Sequence, residues 1–277
     1  MVGGVRRGVR ARYPACVADG ILEITEEGPI RVVTIANPGS RNAVPTSGWD
    51  ELRGAFEDFE RSDRRVMVVT GAGGDFCSGA ALDESMLDPG VTTAATTEFM
   101  RPPQAAALAL HRITKPTVAA VDGVAAGAGM NLAIGCDIVL ASDRARFSEI
   151  FVRRGLTMDF GGSWLLPRIV GLARARELAL TGRMVDAREA AAIGLALEVV
   201  PADGLGERAL EIARQLADGA PLAQRFLKRA LDRSSGATFE QAIAMEATAQ
   251  SILLASEDVR EGVDAFLGKR PPRFQGR

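Results

Sequence analysis

Thr117-Val-Ala-Ala-Val-Asp-Gly-Val-Ala-Ala-Gly-Ala-Gly-Met-Asn131 joins a continuous apolar run to a glycine and alanine loop that leads into helical sequence. An apolar run bounded by Pro116 and a glycine turn reads as a buried strand, here Thr117–Val121. Val66–Thr70, followed by Gly71-Ala-Gly-Gly74, and Ile138–Ala141 have the same character, with helical sequence between them. Upstream, Ile21–Thr25 and Arg31–Ile35 read as strands ending at the Asn37-Pro38 turn. Trp49, Leu52, Phe56 and Phe59 then mark one helix face, whose start Ser47 and Asp50 suit as a capping box. Such alternation predicts an α/β fold with right-handed crossovers. After Pro201 the texture turns helical. Leu205, Ala209, Ile212 and Leu216 share a face, Pro221 opens another helix, and Phe239–Ser256 and Asp258–Leu267 read as two more. The chain therefore divides into an N-terminal tail over 1–18, a core over 19–218 and a C-terminal helical region over 219–277.

The composition narrows the function classes. With 277 residues, 47% of them apolar, the chain can bury a full core, and disorder is excluded as its main state. Its 33 Lys and Arg stand against 35 Asp and Glu, a net charge of −2 that gives no field for nucleic acid or an anionic membrane surface. Cys16, Cys77 and Cys136 form no Cys-x-x-Cys pair, which fits neither a zinc site nor a disulfide framework and points to a reducing cytoplasm. His111, the one histidine, stands where a helix should end and reads as a structural cation there. Trp49 and Trp164 read as core. Arg6, Arg7, Arg10 and Arg12 accompany no apolar stretch of signal length, so the first residues read as a mobile tail. Asp122, Asn131 and Asp137 interrupt the most apolar segment, and no membrane span is expected. Carboxylates and backbone amides remain as the catalytic groups.

Two loops carry the first chemical signal. Phe76-Cys-Ser-Gly-Ala-Ala-Leu82 follows one strand and Gly123–Asn131 follows another. A glycine-rich turn opening a helix leaves N–H groups unpaired, and two such loops side by side could hold one oxygen between two amides. The alternative is that the glycines only allow tight turns and close packing. Neither loop has the Gly-x-Gly-x-x-Gly spacing of a dinucleotide site.

Taken with Asn37-Pro38, Arg41-Asn-Ala43, Lys115-Pro116, Cys136-Asp-Ile138, Gly161-Gly-Ser-Trp-Leu-Leu-Pro-Arg168, Leu180-Thr-Gly-Arg183 and Arg260-Glu-Gly-Val-Asp-Ala-Phe-Leu267, the chain resembles the crotonase, or enoyl-CoA hydratase/isomerase, family from about Ile21 to Gly276. The resemblance implies a crotonase-like spiral core of ββα turns with a C-terminal helical trimerisation region. It also implies an acyl-CoA thioester substrate, with coenzyme A as part of the substrate rather than a cofactor, no metal, and a homotrimer or dimer of trimers. Oxyanion-hole amides fall on Ala80 and Ala128. Substrate and CoA contacts fall on Arg41, Ala43, Ser78 and Leu82, while Phe266 and Lys269 would approach the CoA of a neighbouring subunit. Arg41 has two readings, a phosphate partner or a solvated surface charge.

Family hydratases use two glutamates, and the matching positions here are Asn131 and Phe151, which are left as substrate-lining residues. Glu149 stands six residues before Gly155 instead of four, so it would take part only after a local shift of register. Asp159, four residues after Gly155, matches the catalytic aspartate of family members that isomerise double bonds or displace an aryl halide. Its apolar neighbours Met158 and Phe160 should raise its pKa, and its other reading is an N-cap for the helix containing Ser163 to Ile169. Asn131, Phe151 and Asp159, with Trp164–Arg168 and Gly262–Lys269, most resemble the ring-epoxide isomerases that act on epoxidised phenylacetyl-CoA and also shift enoyl-CoA double bonds. The expected activity is thus acyl-CoA isomerisation with Asp159 as base and acid, the acyl pocket being lined from one variable helix over Thr92 to His111. Three alternatives stay open: an enoyl-CoA hydratase acting through Glu149, a catalytically silent acyl-CoA binding protein, and a hydrolase or dehalogenase with Asp159 as nucleophile.

Overall fold

The computed structural model describes residues 20–82 and 92–277, so the tail expected over 1–18 lies outside the described residues. The chain begins with β1 (Leu22–Glu27), β2 (Ile30–Ile35), α1 (Gly48–Arg61) and β3 (Val66–Gly71). Helices α2 (Thr93–Phe99) and α3 (Arg101–His111) lead to β4 (Thr117–Val121), β5 (Val124–Ala126), α4 (Ala128–Ile134), β6 (Ile138–Ser142) and β7 (Arg146–Ser148). A 3₁₀ turn over Ile150–Arg154 precedes α5 (Gly162–Val170), α6 (Leu172–Thr181), β8 (Val185–Asp186), α7 (Ala187–Ala192) and β9 (Glu198–Val200). Four helices close the chain: α8 (Leu205–Ala217), α9 (Pro221–Ser234), α10 (Phe239–Leu254) and α11 (Glu257–Leu267).

Six strands form one sheet in the order β1-β2-β3-β4-β6-β9, antiparallel only between β1 and β2. A second sheet has the order β5-β7-β8. The chain passes from the large sheet to the small one and then into helix, as β4-β5-α4 and again as β6-β7-α5, which is the expected ββα spiral. Strand alternation feeds two apolar layers. Val33, Val69, Ala119 and Val139 join the core under α1, α3 and α4, whereas Val32, Val68, Val118 and Leu140 face Leu205, Ala209, Ile212 and Ala213 of α8. Helices α9 and α10 bury no residue within the chain. No helix among the described residues is long and apolar enough to cross a membrane.

Several local expectations need correction. The small sheet was not foreseen, because three-residue strands such as β5 and β7 are too short to show a period. Ser47 precedes α1 but has helical φ and ψ and makes no side-chain cap bond, so the capping box is absent. Ser256 is not the end of α10; its side chain accepts from the N–H of Val259 and caps α11. Trp164 is 38% exposed rather than core, with the Arg168 guanidinium 3.9 Å above its ring and His111 at its edge.

One close approach positions the functional region. The segment after β3 runs beside β5, with Cys77 N donating to Val124 O at 2.9 Å and Ala126 N donating to Cys77 O at 3.0 Å. A Cβ on Gly129 would stand 2.1 Å from that same Cys77 oxygen, so α4 reaches this segment only because residue 129 has no side chain. Gly129→Ala is expected to lower unfolding free energy by about 1–3 kcal/mol in urea titration, since a backbone atom must move. Gly54→Ala, inside α1 with nothing within 4 Å of the added carbon, is expected to be neutral or to stabilise by up to about 1 kcal/mol.

Candidate active site

The two glycine loops meet as neighbours. Gly79, at φ 100°, lets its backbone pass so near the second loop that an added Cβ would lie 2.8 Å from Ala126 O and 3.5 Å from Ala128 N. Val44 holds the first loop from the other side, donating to Gly79 O and accepting from Ala81 N, both at 2.8 Å. That parallel bridge leaves the N–H of Ala80 out of the ladder. Ala128 is the first residue of α4, where an N–H has no acceptor within its own helix. Neither amide donates to an acceptor among the described residues.

Asn131 lies one turn into α4 from Ala128 and is fully buried. Its Nδ2 donates to the backbone oxygen of Asp159 at 3.0 Å and lies 3.5 Å from Glu149 Oε2. Gly162 makes the room, for a Cβ there would come within 2.4 Å of the Asn131 amide. Glu149 therefore reaches Asn131 along the observed path of the chain. It precedes the 3₁₀ turn, is 1% exposed, and shares this chamber with Asp159. Phe151 is buried too, with its ring 3.5 Å from where a Gly127 Cβ would stand.

Asp159 is not an N-cap: Gly161 occupies that position of α5, and the Asp159 backbone oxygen accepts from Gly162 N at 2.9 Å. The corner behind it is strained. Phe160, a bulky residue, sits at φ 48°, and its buried ring packs 5.6 Å from that of Trp49. Asn131 Oδ1, Glu149 Oε1 and Asp159 Oδ1 are all buried without a hydrogen-bond partner. Burial pushes the Glu149 carboxyl up to about 8, opposed by the Asn131 amide and reinforced by the Asp159 charge. Burial alone raises Asp159 to about 6. Both carboxyls are thus biased toward their protonated forms, Glu149 further than Asp159.

The other expected contacts lie nearer the surface. Ser78 ties the two binding segments together, its N donating to Arg41 O and its Oγ to Ser40 O, both at 3.0 Å. Arg41 is exposed, 3.9 Å from Asp75. Ala43 is buried, its oxygen accepting from Asn37 Nδ2 at 2.8 Å. The buried Asn42 between them, at φ 57°, donates to Ala72 O and Asp75 O; an asparagine beside an Asn-Pro turn was the available signal for this tether. Leu82 is exposed at the last described residue of its segment. Phe266 is 82% exposed on α11, and Lys269 just beyond that helix is exposed as well. Gln104, Ala107 and Leu108 of α3 line a cavity of about 450 Å³ together with Phe160, Gly161 and Trp164.

A family model described as enoyl-CoA hydratase/isomerase matches residues 25–277. The 1,2-epoxyphenylacetyl-CoA isomerase of Escherichia coli is 36% identical, covering 93% of this chain and 98% of that protein. The 2,3-dehydroadipyl-CoA hydratase of the same organism is also 36% identical, over 92% of this chain and 99% of that protein. The crystal structure of enoyl-CoA hydratase from Bacillus anthracis shares the fold with a TM-score of 0.88 at 28% identity, covering 93% of this chain and all of that one.

The burial of Glu149 has a measurable consequence for stability. Its carboxyl releases a proton near 4.5 when unfolded and near 8 when folded, so between those values the folded state binds more protons and stability falls as pH rises. Glu149→Gln removes this titration. Relative to wild type, the variant is expected to gain up to a few kcal/mol as pH rises from about 4.5 to about 8.5, read by urea unfolding at both ends.

Proposed function

The chain belongs to the enoyl-CoA hydratase/isomerase family of the crotonase superfamily, and from that membership we propose that it isomerises an acyl-CoA thioester, moving a double bond or rearranging a ring epoxide. The observation that carries this reading is Asp159, a half-buried residue whose Oδ1 is buried without a partner, at the position where family isomerases hold their carboxyl, while Asn131 and Phe151 replace both hydratase glutamates. The thioester oxygen takes hydrogen bonds from Ala80 N–H and Ala128 N–H. When Asp159 removes a proton beside the carbonyl, charge grows on that oxygen, and the two fixed amides stabilise it. The enolate then takes a proton at a second carbon. Arg41 and Ser78 face the CoA portion, which arrives as part of the substrate.

Hydration is the second reading. It is favoured by the unpaired Glu149 Oε1 beside Asn131, and a hydratase stands among the relatives. Incubation with 3-enoyl-, 2-enoyl- and epoxyphenylacetyl-CoA separates the two by mass: isomerisation leaves it unchanged and hydration adds one water. We further propose a homotrimer or a dimer of trimers, because Leu227, Leu231, Phe239 and Leu254 on α9 and α10 are each more than half exposed. The buried thiols of Cys77 and Cys136 suit a reducing cytoplasm.

Asp159→Asn is expected to lower isomerase kcat by about 10²–10⁴ with KM nearly unchanged. Ala128→Pro, which keeps a residue tolerated at the first helical position but removes its N–H, is expected to lower kcat by about 10²–10³, whereas Ala128→Ser retains most activity. Steady-state kinetics on circular-dichroism-checked protein reads both, and equal near-native rates for the two Ala128 variants would remove that amide from the site. Light scattering is expected to give three or six times the mass of one chain.

A further inference from the structure

We propose that Glu149 is a second proton-transfer group of this site, delivering a proton to the substrate while Asp159 removes one. This rests on the isomerase reading and adds a residue that family correspondence does not supply, since the matching glutamate position holds Phe151.

Geometry carries the assignment. Glu149 is 1% exposed, and its Oε2 lies 3.5 Å from the amide of Asn131, one turn beyond the Ala128 N–H. Its Oε1 has no partner, and neither does Asn131 Oδ1 or Asp159 Oδ1. A buried carboxyl kept only for packing finds partners for both oxygens, because leaving one unmatched is costly. Elsewhere among the described residues buried polar side chains do so: Lys115 donates to Phe59 O and Ser62 O, and Asp258 accepts from Gln275 N and Gly276 N. Three orphaned oxygens in one chamber mark the place of a reacting group. Among the described residues, Asp159 is the charged group that acts on Glu149, and Asn131 is the side chain that hydrogen-bonds it. With Glu149 pushed up to about 8 and Asp159 to about 6, the pair stands poised as acid and base.

The proton balance closes for a β,γ to α,β double-bond shift. The Asp159 carboxylate takes a proton from the α carbon, and the C–H electron pair becomes part of a dienolate whose charge rests on the thioester oxygen. The dienolate pair then forms a C–H bond at the γ carbon with the Glu149 proton, whose O–H bond breaks and leaves a carboxylate. Asp159 then gives its proton to solvent and Glu149 takes one from solvent, which restores both groups before the next turnover. No atom is gained or lost.

A 3-enoyl-CoA deuterated at the α carbon tests this in ordinary water. The wild-type product is expected to carry little deuterium at the γ carbon, because the proton arriving there comes from Glu149. Glu149→Gln, folded by circular dichroism, is expected to lose about 10²-fold in kcat with KM near wild type. Its kcat profile should lose the fall above about pH 8 but keep the one below about 6, and its residual turnover should carry deuterium from the α to the γ carbon through Asp159. Efficient deuterium transfer by the wild-type enzyme, or a Glu149→Gln variant with wild-type kcat and pH profile, overturns the second group and leaves the isomerase reading intact. A wild-type enzyme that isomerises no thioester overturns both, and does so before any variant is made.

Discussion

Where α4 meets the carbonyl of Cys77, two backbone segments pass closer than any side chain allows, and the candidate site is assembled around that contact. Glycine at 129 removes the obstacle, and glycine at 79 repeats the device on the opposite strand of the approach. The result is a pair of amides on separate loops whose spacing depends on main chain packed against main chain. Amides held in this way are stiff, because no rotamer has to be frozen to aim them. Their placement is also insensitive to most side-chain changes.

Burial of Asn131, Glu149 and Asp159 raises both carboxyl pKa values and leaves three oxygens unmatched, a double penalty in a domain whose net stability is only some 5–15 kcal/mol. Nothing comparable occurs elsewhere among the described residues. Asp137, also tied to a loop, accepts from Thr117 and Lys228, and Asp122 is held below the usual carboxylate range by hydrogen bonds from Arg144 and Ser142 despite its partial burial. The contrast separates two uses of a carboxylate in one chain. Paired ones fix geometry, and the couple around Asn131 keeps one oxygen each without a partner.

Sequence carried five of the six strands of the large sheet, but neither β9 nor the small sheet. Buried parallel strands such as Thr117–Val121 announce themselves as apolar runs, whereas β5, β7 and β8 are defined by what they lie beside. The glycine loops were legible because their signal is local, a residue type next to a strand end, whereas Asp159 stood out only through the family resemblance. The position of Glu149 was hidden for the opposite reason. Counting residues back from Gly155 assumes a fixed path, but the 3₁₀ turn over Ile150–Arg154 places Phe151 beside Gly127 and brings Glu149 inward from two positions earlier. Trp164 misled in the same way, since an apolar neighbourhood in sequence says nothing of the arginine stacked on its outer face.

The strand that supplies the site also anchors the C-terminal helices, at its other end. Asp137 Oδ2 accepts from the N–H and hydroxyl of Thr117, at the start of β4, and from Lys228 on α9, whose ammonium also donates to Lys115 O. The glycine loop begins beyond Val121, at the finish of the same strand, where an α/β sheet ordinarily presents its ligand site. Helices α9 and α10 keep their apolar residues exposed and depend on local devices such as the Thr238 and Gln241 capping box. Opposite ends of β4 thus carry separate tasks. Packing around α9 can change the support of the sheet without entering the chamber, while the chamber stays defined by glycine contacts inside a single chain.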